Sequence, residues 1–139
     1  MNLKQKVNTP PAPLKNVAAF SALLTRMVER DGDEPGLAVF YGPSGWGKTK
    51  SAIYGASRHR AIYIECGMSV TAKSMMTHIL VELGDREHRG PIHSMVSKAI
   101  ELMAQDPSRP LLVDEAHFVA KYKFVDLLRE LSDKSGAPV

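Results

Sequence analysis

Apolar residues recur at three- and four-residue steps from Val17 through Phe20, Leu23, Leu24 and Met27 to Val28, the spacing of one buried helical stripe. Asn16 stands where a cap would open that helix, and the pattern runs to about Arg30. The turn-forming run Asp31-Gly32-Asp33-Glu34-Pro35-Gly36 ends it and leads into Leu37-Ala38-Val39-Phe40-Tyr41, an apolar run too short for a helix and read as the first strand. A helix is expected from Lys48 to about Arg58. It is followed by a second strand over Ala61-Ile62-Tyr63-Ile64-Glu65, which is rich in strand-forming residues. Met75, Met76, Ile79, Leu80 and Leu83 mark a helix over 71–83, closed by Gly84 in the position that favours a left-handed residue. Ile92 to Ala104 supplies another amphipathic helix, stopped by Asp106-Pro107, and Pro110-Leu111-Leu112-Val113-Asp114 is a third strand. A last helix spans 118–132, Gly136 ends it, and Pro138-Val139 opens a further strand.

Strands alternating with helices imply a parallel sheet flanked by helices, an α/β architecture. Three strands are few for such a sheet, so the expectation is a domain cut short. Residues 1–15 carry Pro10, Pro11 and Pro13 with Lys4, Lys6 and Lys15, a composition that suits a flexible arm ahead of a domain over 16–139.

Composition changes this picture little. With 139 residues and 44% hydrophobic positions the chain fits one domain able to bury a core. A net charge of +3 permits nucleic-acid contact without demanding it. The lone Cys66 has no internal partner for a disulfide or zinc site and reads as a small buried hydrophobe in a reducing, cytoplasmic setting. No apolar run approaches the roughly 20 residues that cross a bilayer, so no membrane partner is expected.

The chemistry begins at Gly42-Pro43-Ser44-Gly45-Trp46-Gly47-Lys48-Thr49. A triphosphate concentrates negative charge, and its site needs many donors at close range with no side chains in the way. The glycines let the loop curl so that backbone N–H groups point inward, while the helix that follows presents its positive N-terminal end. Lys48 can reach the β and γ phosphates, the Thr49 hydroxyl can take one Mg²⁺ position, and Lys50 continues the segment. This pattern arises by chance in roughly one chain of this length in a few hundred. It also falls between a strand and a helix, as the mechanism requires. Trp46 fills a spacer position where side-chain identity is free.

Asp114 ends an apolar strand, the edge at which ligands bind an open parallel sheet, and the glycine loop leaves the same edge of its own strand. Asp114 then supports Mg²⁺, and Glu115 is the base that polarises water attacking the γ phosphorus, with Lys48 assisting. The competing account of Asp114-Glu115 is a helix cap ahead of Phe118. The tetrad Asp114-Glu115-Ala116-His117 spells a helicase signature, yet a histidine opening a helix is more simply a cap or a surface residue. Other basic positions include Arg58, Arg60, Lys121 and Lys123; the first choices for DNA contact are Lys73, Arg86 and Arg89, which flank the helices inserted after the second strand.

In several segments the chain resembles the AAA-type ATPases of phage DNA transposition, the Mu B-like target-selection proteins and their relatives in Tn7-like elements. These segments are Gly42 to Lys50, Ala61 to Cys66 with the helix ending Glu82-Leu83-Gly84, Asp114 to Phe118, and Leu127 to Val139. The resemblance runs from about Asn16 to Val139. It implies a P-loop NTPase fold of the AAA type that uses ATP and Mg²⁺. It also implies self-assembly on double-stranded DNA as a filament or ring, stimulation of a transposase, and disassembly on hydrolysis. The family's polar sensor strand, arginine finger and helical lid have no counterpart up to Val139, so the expected fold is truncated before the sensor strand. Two other classes stay open: a DEAH-type helicase motor fragment, and a nucleotide-gated scaffold without turnover.

Overall fold

The computed structural model describes residues 12–41 and 48–139, so Gly42, Pro43, Ser44, Gly45, Trp46 and Gly47 of the expected phosphate loop lie outside the described residues, as does the segment 1–11. Helix α1 (Ala12–Glu29) begins four residues before the expected cap, which places Asn16 inside the helix. Pro13 is tolerated there because the first turn has no intrahelical acceptor for the N–H it lacks.

Helix α2 (Lys48–His59) precedes strand β1 (Ile62–Glu65), and β1 pairs in parallel with β2 (Leu111–Asp114), Ile62 opposite Leu111 and Glu65 opposite Asp114. Leu111 N donates to Pro138 O at 2.9 Å, Val139 N to Gly36 O at 2.7 Å, and Ala38 N to Val139 O at 2.9 Å. The backbone at 138–139 therefore lies between β2 and the segment after Gly36, as a further strand opening there would. The expected first strand over 37–41 is corrected: it carries no regular ladder, because a ladder needs a partner along several residues and Val139 alone bonds this segment among the described residues. Val39 and Tyr41 are largely exposed.

Side chains alternate across this sheet with period two. Ile62, Ile64 and Leu111 enter one core with Met75, Met76, Ile79 and Leu80 of α3 (Ala72–Glu82) and Met95, Ala99 and Met103 of α4 (Ile92–Ala104). Leu112 faces the other side, where it packs with Phe20 and Leu24 of α1 and Ala52 of α2, and Phe40, Ala56, Ala61 and Tyr63 border the cluster. At Gly55 an added Cβ would stand 2.6 Å from Leu24 Cδ1, so glycine permits the close approach of α1 to α2.

Local signals set the ends of α3. Thr71 and Ser74 exchange side-chain and backbone bonds in a reciprocal cap, and Gly84, at φ +96°, closes the helix as its N–H reaches Val81 O while Asp85 N reaches Leu80 O. The single helix expected over 118–132 is corrected to two, α5 (Ala116–Lys121) and α6 (Val125–Ser135), broken where Lys123 turns left-handed at φ 63°. At about 100° per residue a continuous helix would turn Val119 and Leu128 to opposite faces. The break lets both enter one core. No helix among the described residues is long and apolar enough to cross a membrane.

Candidate functional site

The parallel order sets which residues share one edge of the sheet. Leu37, Val139 and Leu111 lie level through their backbone bonds, and three to four residues further on the chain reaches Tyr41 in one segment and Asp114 in the other. Asp114 and the exit toward Lys48 thus share the carboxyl edge. Helix α2 packs on β2 and β1, with Ala52, one turn after Lys48, against Leu112, two residues before Asp114. Lys48 is half-buried at the start of α2, and Thr49 and Lys50 are exposed in the same first turn. The start of a helix carries a partial positive charge from its aligned peptide dipoles.

Both oxygens of Asp114 are held. Oδ2 accepts from the Tyr63 hydroxyl at 2.7 Å, and Oδ1 accepts from the Glu115 N–H at 2.9 Å. Burial, then the bond to Asp114, pushes the Tyr63 hydroxyl well above the ordinary tyrosine range, so it stays a protonated donor. Tyr63 is the functional candidate that sequence reasoning missed. A tyrosine between Ile62 and Ile64 signals a polar tip in need of a partner, but the partner depends on the register of β1 against β2.

Glu115 sits in the left-handed region at φ 56° and ψ 40°, a conformation costly for any side chain with a Cβ. It occupies the cap position of α5, yet its side chain makes no capping bond. Its carboxylate stands 3.3 Å from His117 Nδ1, and His117 is exposed and tilted against the Phe118 ring. The capping account of the pair therefore finds no support, and His117 takes the surface position expected of it.

The donor set suits Mg²⁺. Mg²⁺ characteristically takes one or two carboxylates, waters and phosphate oxygens. Asp114 and the hydroxyl of Thr49 are hard oxygen donors of that kind.

The three candidate DNA contacts are exposed. Lys73 lies in the first turn of α3, whereas Arg86 and Arg89 lie in the segment between α3 and α4. Arg60 is engaged elsewhere, paired with Asp106 at 2.9 Å. Cys66 is buried in the core, and burial pushes its thiol upward. A cleft of about 360 Å³, lined by Arg30, Asp31, Glu34, Ser132 and Asp133 among others, opens at the opposite, amino edge of the sheet. Its acidic lining does not suit polyphosphate.

Against models of known families, residues 30–139 match the AAA domain. Comparison with curated proteins and with solved structures returned no significant match.

Proposed function

The chain belongs to the AAA domain family of nucleotide-binding P-loop ATPases, and on that premise we propose that it binds and hydrolyses ATP to time its hold on DNA in transposition target selection. The observation that carries the hydrolytic reading is the placement of Asp114 and Glu115 on the sheet edge toward which the chain exits before Lys48. The transposition reading rests on the resemblance of the segments around Lys48, Cys66, Asp114 and Leu127, and it includes assembly on double-stranded DNA and stimulation of a transposase.

In this mechanism the glycines 42, 45 and 47, with Pro43, Ser44, Trp46 and Lys50 in the same segment, form the phosphate cradle. Lys48 places its ammonium against the β and γ phosphates, and Thr49 and Asp114 are the oxygen donors for the metal. Bound Mg²⁺ supplies charge neutralisation at the phosphate oxygens. Glu115 accepts a proton from the water that attacks the γ phosphorus, its carboxylate making no capping bond to α5 that would occupy it. Lys73, Arg86 and Arg89 contact the duplex backbone.

The test is Glu115→Gln. It preserves ATP binding, abolishes turnover and keeps the protein on duplex DNA in the presence of ATP. Unchanged turnover overturns the role of Glu115; strand separation by the wild type would favour a helicase, and binding without any turnover a scaffold.

A further inference from the structure

We infer that Tyr63 is a positioning residue that sets the Asp114 carboxylate for the metal-bound nucleotide, an inference that rests on the site reading above. Tyr63 pairs with Leu112 in the parallel register, so its ring points to the face shared by Leu112 and Asp114 and reaches diagonally along β2. Its hydroxyl donates to Asp114 Oδ2 at 2.7 Å, a short bond assisted by the carboxylate's charge. The ring borders the cluster of Phe20, Leu24, Ala52 and Leu112, so the packing that seats α2 on the sheet also seats this donor.

The terminal torsion of an aspartate is broad, and a carboxylate held at one oxygen can still swing. Here the Glu115 N–H takes Oδ1 and Tyr63 takes Oδ2, so the plane of the carboxylate is fixed from both ends. An ionised carboxylate offers about four acceptor positions, and among the described residues these two bonds use only two of them. A neutral hydroxyl serves this purpose better than a cation, because it orients the carboxylate without cancelling the charge that attracts the metal.

The experiment measures binding rather than turnover. The affinity of the full chain for a fluorescent ATP analogue is titrated in EDTA and in Mg²⁺, for the wild type, Tyr63→Phe, Asp114→Asn and the double variant. Phenylalanine keeps the ring and its packing, and a thermal melt checks the fold of each protein. Tyr63→Phe is expected to leave the affinity in EDTA unchanged and to reduce the Mg²⁺ enhancement about tenfold, as loss of an outer-shell partner does elsewhere. In the Asp114→Asn background the same change is expected to have no further effect. An undiminished Mg²⁺ enhancement in Tyr63→Phe overturns the positioning role alone, as does an equal loss with and without metal. A wild type whose affinity ignores Mg²⁺ overturns the site reading, and this role with it.

Discussion

Replacing Glu115 by glycine should make the protein more stable and less active at once. Glu115 holds φ 56° and ψ 40°, a left-handed conformation that costs a residue with a Cβ about 1–2 kcal/mol. Glycine adopts it freely, at a cost of roughly 0.5–1 kcal/mol in added freedom of the unfolded chain. The bond from the residue 115 N–H to Asp114 Oδ1 is a backbone donation and survives the change. The contact of Glu115 with His117 is largely exposed and contributes little. The balance is a gain of about 0.5–1 kcal/mol, read as an upward shift of about 0.3–0.5 M in the urea midpoint at unchanged slope. Phosphate release in the presence of Mg²⁺ and DNA should fall by about a hundredfold or more, the usual share of a general base. Lys123→Gly is the control: at φ 63° it relieves the same kind of strain and should raise stability without lowering turnover. A Glu115→Gly protein that is clearly less stable, or one that hydrolyses ATP like the wild type, would refute the view that strain is retained here for chemistry.

Two further outcomes follow from burial. Ser132 is buried and its Oγ donates to Ala137 O at 2.8 Å, holding the turn that leads Val139 into the sheet, so Ser132→Ala should cost about 1–3 kcal/mol by leaving a buried carbonyl unpaired. An unchanged urea midpoint would contradict it. Cys66 has its thiol pushed upward by burial, so the unfolded chain releases that proton first, and stability present below the unfolded value near pH 8.5 should decline as pH rises beyond it. Cys66→Ala should flatten that part of the profile, and a profile identical to the wild type's would count against the burial argument.

What could be read from the chain was local. Helix α3 was legible because Gly84 marks its end, and β2 because an apolar run stops at an acid. The break at Lys123 was not, since a lysine carries no preference for the left-handed region and only the need to bury both Val119 and Leu128 demands it. Ladder formation at 37–41 depends on a distant partner, and so does the bond between Tyr63 and Asp114, whose residues lie 51 positions apart. Register is a property of two segments at once.

In the proposed site a nucleotide is gathered by the start of α2 opposite the Asp114 carboxylate. Titration of ATP into the wild type and Lys48→Ala in Mg²⁺ tests it most directly. The wild type should bind, and Lys48→Ala, which removes the cation facing the β and γ phosphates, should show a marked loss. Equal dissociation constants for the two proteins would contradict it.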